Sequence, residues 1–325
     1  MKLLKYGCII VICFLSVVLS YAQQPSQYSL YMFNRMAVNP AYAGMEDLLS
    51  VTGVFRRQWV DLEGSPSSQH LNFHAPLPFI NSGFGLSLEN DALGFEKNLS
   101  VMGAYNYQMY LGAGTLAIGV GGGILQKTLD GSKLRTPDGD YTDGSVIDHR
   151  DNLLPIGSVL ASTPVVEAGI YYKSQLVEVG VSMRNILEQP LAFSTVNILP
   201  TRTYFFTVTA HLEGRGALSL HPSLLLKSDV IQTQIDFSTV ARYNDNIYLG
   251  ASFRGYSGNT TDALAMIGGL QLSEKLRVMY SYDLTLSELR NVNSGSHEIM
   301  LNYSINNPFG KSRPPQIIHS PRFLD

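Results

Sequence analysis

Apolar and polar residues alternate along most of the chain. In residues 177–184, valine or methionine takes every second position, and glutamate, glycine, serine and arginine take the positions between. Because successive side chains of a β-strand point to opposite faces, this period of two predicts strands with one apolar and one polar face. The alternation recurs in residues 231–238, 247–254 and 275–283, and no amphipathic helix of useful length interrupts it.

Many of the alternating segments are long. They run to about ten residues, which is the length that a tilted strand needs to cross the hydrocarbon of a membrane. The pattern therefore predicts an all-β fold, a transmembrane antiparallel outer-membrane β-barrel of about 14 strands, an even number that suits a bacterial barrel. The predicted strands are 48–57, 68–75, 82–91, 96–110, 114–127, 166–174, 175–184, 202–213, 217–228, 231–242, 246–256, 261–272, 275–284 and 295–304.

The connections between these strands also sort by length. If the first strand rises from the periplasm, the three longest connections, among them 128–165 and 185–201, all lie outside the cell. The connections on the other side are tight turns. Outer-membrane barrels have this asymmetry, whereas a soluble sandwich has no reason to show it.

The polar faces of the strands predict what lines the barrel lumen. In a barrel of this width, charged and amide side chains indicate an aqueous or plugged interior, while the apolar faces point to lipid. The predicted lumen residues are Gln232, Gln234, Asp236, Arg254, Arg277 and Asp283.

Both ends of the chain differ from the barrel, which we place at residues 47–304. Residues 1–22 have the basic start, apolar centre and small residues of a cleaved signal peptide. Residues 23–46 lack strand alternation and are predicted to form an N-terminal periplasmic or plug segment. Residues 305–325 are predicted to form a C-terminal periplasmic tail, and the part from Asn307 contains four prolines and cannot extend the sheet.

Composition narrows the possible functions. The chain has 18 Tyr, 14 Phe and 29 Gly with only 15% charged residues, and membrane barrels use aromatic residues as interface girdles. Both cysteines, Cys8 and Cys13, leave with the signal peptide, so the mature chain has no thiol chemistry. No basic stripe is present, which argues against nucleic acid as a partner.

Short motifs spread in order over nearly the whole mature chain indicate a family. The stretches are Gln27-Tyr28, Tyr31-Met32-Phe33-Asn34, Asn39-Pro40-Ala41-Tyr42-Ala43-Gly44, Arg56-Arg57-Gln58-Trp59-Val60, Gly64-Ser65-Pro66, Gly169-Ile170-Tyr171-Tyr172, Tyr280-Ser281-Tyr282-Asp283, Gly295-Ser296-His297-Glu298-Ile299 and Ser320-Pro321-Arg322-Phe323. Together they resemble the PorP/SprF family of type IX secretion system membrane proteins of the Bacteroidetes. One departure is the run 162–168, which lacks the Pro-Asn-Phe expected before Gly169.

The resemblance implies a role in the outer membrane rather than a reaction. Family members are similar to components of the type IX secretion and gliding apparatus. The implied partners are outer-membrane lipid, a periplasmic ring lipoprotein and an OmpA-like peptidoglycan-binding protein, or a large cell-surface adhesin. A porin or small-solute channel is the alternative, because charged lumen residues suit either function. An outer-membrane hydrolase ranks last, since no Ser or Asp can be paired with a His on a spacing argument.

The best candidate partner-binding residues lie near the start of the mature chain. One hypothesis makes them a periplasmic or lumenal docking element. The other makes them an ordered plug with an aromatic girdle, because tryptophan at a strand end favours the membrane interface. The candidates are Asn34, Asn39, Pro40, Tyr42, Arg56, Arg57 and Trp59.

Metal and cofactor sites are not expected. His70 and His74 share a strand face but lie roughly 13 Å apart, too far to hold one metal. His297 and Glu298 face opposite ways, so they cannot form an acid–base pair. The acidic loop 128–165 lacks the spacing and final Glu of an EF-hand, although Asp138 to Gly144 could offer oxygen ligands to calcium. Residues 119–123 form no phosphate loop, and their glycines are expected to clear one barrel wall for a bend or a close-packed plug.

Overall fold

The computed structural model describes residues 26–142, 147–193, 196–214, 216–257, 260–306 and 309. Fourteen long strands form one antiparallel sheet in which each strand pairs with its sequence neighbours and the last pairs with the first, so the barrel is closed. This confirms the predicted fold class. The strands are β1 (Leu48–Arg57), β2 (Ser67–Leu77), β3 (Ser82–Leu93), β4 (Glu96–Leu111), β5 (Gly114–Asp130), β6 (Ser158–Ser174), β7 (Val177–Arg184), β8 (Thr203–Ala210), β9 (Leu218–Ser228), β10 (Thr233–Tyr243), β11 (Ile247–Tyr256), β12 (Thr260–Gln271), β13 (Leu276–Thr285) and β14 (Ser296–Asn306).

The remaining elements are short. Leu212–Glu213 adds to β9, and Leu191–Ala192 pairs with Asn197–Ile198 in a small hairpin outside the barrel sheet. Six 3₁₀ turns complete the described secondary structure, and the first three precede β1. They are Tyr31–Phe33, Arg35–Ala37, Pro40–Tyr42, Pro78–Ile80, Gly131–Lys133 and Glu288–Asn291. Within the described ranges, no helix has both the length and the apolar character to cross a membrane.

The sixth strand differs most from the prediction. It begins at Ser158 instead of residue 166 and pairs with β5 from there, so the preceding connection shrinks to 131–157. Pro164 lies inside the added part, where β7 is not yet present because its pairing with β6 begins only at Ala168. This part of β6 is therefore an edge, and an edge strand tolerates the missing N–H of proline.

The alternation predicts the two faces of the barrel well. On β1, Ser50, Thr52, Val54 and Arg56 are buried, whereas Phe55 is 47% exposed on the outside. The outer face is rich in exposed Leu, Ile, Val and Phe, as expected for contact with lipid. Of the predicted lumen residues, Gln234, Asp236, Arg254 and Asp283 are buried inside and Arg277 lines an inner cavity. The prediction for Gln232 is wrong, because the turn before β10 includes it and leaves it exposed.

The two ends of the barrel are unequal. The connections 58–66, 131–157, 185–202 and 286–295 lie at one end, which we call the long-loop end. The opposite, short-turn end has tight turns such as 112–113 between β4 and β5, in line with the predicted sorting. The wall is also uneven in height, because β5 and β6 have 17 residues each while β7 and β8 have 8.

Candidate functional site: the N-terminal segment inside the barrel

Residues 26–46, which we call the plug segment, lie inside the barrel. Near its start, the side chain of Gln27 donates to the Tyr256 hydroxyl (2.5 Å) and accepts from Gln58 (3.1 Å), and both partners lie at the long-loop end. The segment ends next to β1, which begins at the short-turn end with Leu48. The chain therefore runs through the lumen from the long-loop end towards the short-turn end.

A buried ion cluster holds the first part of the plug segment. Arg56 lies opposite Glu298 of the neighbouring strand and pairs with it (3.1 Å) and with Asp283 (2.7 Å), and all three side chains are at most 1% exposed. Arg254 pairs with Asp236 (2.7 Å) and approaches Asp283 (3.4 Å). Each charge therefore has opposite charges beside it, as burial requires.

The plug segment forms hydrogen bonds directly with this ion cluster. The backbone N–H groups of Ser29 and Leu30 donate to the two carboxylate oxygens of Glu298, at 2.7 and 3.1 Å. The Ser29 hydroxyl donates to Asp283 (2.6 Å) and accepts from both Arg56 (3.1 Å) and Arg254 (3.0 Å). Ser29 is thus the point at which the plug segment completes a network of charged side chains from the barrel wall.

Apolar side chains fill the lumen next to the ion cluster. Leu30, Tyr31 and Met32 pack in one buried cluster with inward residues of β1 and of every strand from β8 to β14. On the other side of the plug segment, Met36, Ala41, Tyr42, Ala43 and Met45 form a second cluster with β4, β5 and β6. The remaining walls contribute hydrogen bonds, so the segment contacts the lumen around its whole circumference. These hydrogen bonds are Asn34–His70 (2.9 Å) and Asn72–Asn34 (2.5 Å) on β2, Tyr28–Glu89 (2.8 Å) on β3, and Asn39 to the Val181 carbonyl (3.2 Å) on β7.

The turn from Asn39 to Gly44 fits against a wall of glycines. The Asn39 side chain accepts from the Ala41 N–H (2.9 Å), caps the turn that Pro40 begins, and donates to the Ile170 carbonyl (3.0 Å). A Cβ atom at Gly119 would lie 2.5 Å from Ala41 Cα, and one at Gly169 would lie 2.2 Å from Asn39 Oδ1. Gly119 and Gly169 therefore admit the backbone of the turn, and at Gly119 the predicted run 119–123 clears the wall for the plug segment.

Tyr42 lies at the centre of a polar cluster near the short-turn end. Its hydroxyl donates to Glu46 (2.8 Å) and accepts from Arg35 (3.1 Å), and its ring packs edge-on against Tyr171. Burial raises the pKa of the Tyr42 phenol well above its usual range. Burial acts to raise the pKa of Glu46, but His74, Lys173, the Tyr42 hydroxyl and Arg35 together hold that pKa below its usual value.

The predicted site residues fall into two groups. Asn34, Asn39, Pro40 and Tyr42 belong to the plug segment and Arg56 to its ion cluster, so five of the seven act together inside the lumen. Arg57 follows Arg56 but points outward beside His297, and Trp59 lies in the connection after β1, where its backbone N–H donates to Ser296 (3.1 Å). The five buried residues contact the barrel here, and their binding of a partner stays a prediction.

Several site residues were absent from the predicted set. Glu298 and Ser29 complete the ion cluster. The alternation of side chains along β14 places Glu298 on the same face as Ser296, so the sequence pattern could have assigned Glu298 to the lumen. Ser29 has no sequence signal of its own. His70 and His74 both bond to the plug segment, and among the described residues no three His, Cys, Asp or Glu are grouped to hold a metal. The proposed calcium ligands include Asp143 and Gly144, which lie outside the described residues.

Two cavities flank the plug segment. One of about 360 Å³ opens towards the long-loop end and is lined by Ser26, Glu89, Asp91, Lys127 and Arg184, among others. The second, of about 260 Å³, lies at the short-turn end. The plug segment thus divides the polar interior of the barrel into an upper and a lower space.

The chain is similar to several solved outer-membrane proteins at low sequence identity. The deltaS2S3 mutant of TodX, a monoaromatic hydrocarbon channel, is 10% identical, with 83% of this chain and 94% of that chain covered at a TM-score of 0.48. The toluene transporter TbuX of Ralstonia pickettii is 11% identical (83% and 92% covered, TM-score 0.47). Omp33 of Acinetobacter baumannii is 8% identical (79% and 98% covered, TM-score 0.44).

A family model gives a much more specific match. No curated protein matches the chain. The model for the type IX secretion system membrane protein PorP/SprF, however, matches residues 20–303, which include the plug segment and nearly all of the barrel. This protein of the outer membrane therefore belongs to the PorP/SprF family of type IX secretion system membrane proteins.

Proposed function

We propose that this protein is a non-catalytic scaffold of the type IX secretion and gliding machinery. In this role the barrel anchors the periplasmic ring lipoprotein and the OmpA-like peptidoglycan-binding protein, or assists secretion and surface anchoring of a large adhesin. The observation that carries the proposal is the plug segment, which fills the lumen of a barrel whose family belongs to a secretion system. A scaffold needs a stable barrel in the membrane but no open path through it.

The plug contacts favour a scaffold over a porin. A steady diffusion pore needs a continuous aqueous path, whereas here Leu30, Tyr31 and Met32 cross the lumen beside the ion cluster of Arg56. Departure of the plug segment would break the hydrogen bonds that Ser29 and Leu30 donate to the buried carboxylates of Glu298 and Asp283. A hydrogen bond to a charged group is worth about 1.5–3 kcal/mol, so the plug segment would not leave readily at equilibrium. The small-solute channel remains the second candidate, because the polar cavities above and below the plug segment would join if it moved.

Affinity capture from native membranes tests the scaffold directly. A tag inserted in the 131–157 connection would allow solubilised barrels to be recovered and their partners identified by mass spectrometry. Recovery of the ring lipoprotein, the OmpA-like protein or a giant adhesin would support the proposal and identify the role. Recovery of the barrel alone, under conditions that preserve other secretion complexes, would contradict it.

Conductance in planar bilayers tests the alternative. The purified full-length barrel is expected to give no steady single-channel current. A steady open pore of porin size would overturn the scaffold proposal and favour the channel. A variant with residues 23–46 deleted serves as the positive control, since it removes the plug segment while leaving β1 intact.

A further inference from the structure

The cavity at the short-turn end is rich in arginine. Arg242 is the penultimate residue of β10 and Arg277 is the second residue of β13, so both lie close to the short-turn mouth. Arg35 of the plug segment forms part of the same lining, and Glu213 is the acidic residue in it. Positive charge therefore collects where the lower space opens to solvent.

Two of the three arginines already have carboxylate partners. Arg35 pairs with Glu178 at 2.9 Å, and Glu178 is buried. Arg242 pairs with Asp245 at 3.2 Å and lies 3.7 Å from Glu213. These pairs leave Arg277 as the source of excess positive charge in the cavity.

Arg277 is held in place without a carboxylate. Its Nε donates to the side-chain oxygen of Gln271 (2.8 Å), and it forms no ion pair with any residue that the structure describes. Its guanidinium carbon lies 5.9 Å from the ring centre of Phe33 and 5.4 Å from that of Tyr248, so two aromatic rings orient it. An oriented guanidinium of this kind suits two parallel hydrogen bonds to one carboxylate.

We propose that this cavity receives an acidic peptide segment of a partner protein, with one carboxylate bound to Arg277. The occupant is a peptide with apolar side chains beside its carboxylate, because Met32, Phe33, Val240 and Tyr248 form apolar walls next to the arginine. The inference rests on the proposed scaffold function, since it supplies a contact point for a partner at the end with short turns, which outer-membrane barrels direct towards the periplasm.

Peptide binding to the folded barrel tests the inference. The probe is a fluorescein-labelled peptide of alternating Glu and Leu, and the matched control peptide replaces each Glu by Gln. Fluorescence anisotropy is measured with wild-type protein in detergent, with Arg277→Gln, and with Arg290→Gln, which changes an exposed arginine at the long-loop end. Heat-dependent mobility in gel electrophoresis shows whether each variant has folded.

The acidic peptide is expected to bind wild-type protein and Arg290→Gln equally well, and more weakly at high salt. Arg277→Gln should weaken binding by roughly tenfold or more, because a hydrogen-bonded charge pair is lost. Equal binding of the two peptides, or unchanged affinity in folded Arg277→Gln, would overturn the inference. Partner capture by the tagged barrel is a separate measurement. A negative result in the peptide-binding test would therefore overturn the peptide site without contradicting the scaffold proposal.

Discussion

Replacement of Arg56 by alanine should destabilise the barrel far more than the same change at Arg57. The two arginines are adjacent in β1, yet Arg56 is 1% exposed inside the ion cluster and Arg57 points outward. Loss of Arg56 leaves Glu298 and Asp283 buried with less positive charge nearby. Breaking a buried pair in this way costs about 3–5 kcal/mol.

The contacts that Asp283 and Glu298 keep in Arg56→Ala determine where in that range the loss of unfolding free energy should fall. Arg254 still lies 3.4 Å from Asp283, and the backbone N–H groups of Ser29 and Leu30 still donate to Glu298. We therefore expect a loss near the lower limit, about 3 kcal/mol, or roughly a hundredfold in the unfolding equilibrium. The outward Arg57→Ala change should alter stability by at most about 1 kcal/mol, because a charged side chain on the lipid face near the membrane interface costs only about 0–1 kcal/mol.

Denaturant titration in detergent micelles measures this difference. Chains that start at Gln23 are folded and unfolded by guanidinium chloride, and the fluorescence of Trp59, the one tryptophan in the sequence, follows the transition. Linear extrapolation gives the free energy of unfolding in water. Arg56→Met separates the lost charge from the lost packing, because it restores apolar volume but leaves both carboxylates without Arg56.

Two results would refute the argument about the ion cluster. One is an Arg56→Ala variant within about 1 kcal/mol of Arg57→Ala, since surface changes alone fall in that range. The other is an Arg56→Met variant as stable as the wild type, which would show that packing, and not compensation of Asp283 and Glu298, determines the effect.

Three further predictions concern the plug segment. Gly119→Val should push the 39–44 turn away and raise maleimide labelling of a cysteine placed at Ala41, whereas Gly122→Val, which faces open space, should leave labelling low. Asn39→Ala should cost about 1–2 kcal/mol in the same titration, since it removes a turn cap and two bonds to wall carbonyls; an unchanged midpoint would contradict this. Deletion of residues 23–46 should give a steady bilayer current, and a silent barrel would show that other residues close the lumen.

Much of the fold could be predicted because the barrel repeats one local rule. A period of two fixes which side chains of a strand face lipid, so Asp236, Arg254 and Asp283 could be placed in the lumen from the sequence alone. The same rule separates Arg56 from Arg57, although the two were grouped as one candidate surface. The start of β6 could not be predicted in this way, because proline in a strand is acceptable only if the neighbouring strand ends early.

The contacts of the plug segment could not be predicted from the sequence. The pairing of Arg56 with Glu298 joins residues 242 positions apart and depends on the register between the first and last strands when the barrel closes. Ser29 lies in a segment without periodicity, so its role appears only when the whole lumen is assembled. The alternation of side chains along each strand predicts which charged residues face the lumen. Which of them pair depends on the strand register in the closed barrel.

The motifs that indicate the family converge on the plug segment once the barrel closes. The stretches that contain Arg56, Asp283 and Glu298 lie on the adjacent strands β1, β13 and β14, where they surround Ser29. The stretch from Asn39 to Gly44 meets Gly169 of another motif across the lumen. The motif residues of the ion cluster and of the turn from Asn39 to Gly44 are buried and cannot discriminate between partners in this conformation. Partner choice should therefore reside in parts of the chain that solvent reaches and the motifs do not cover, such as the 131–157 connection and the half-buried Arg242 and Arg277 at the short-turn mouth.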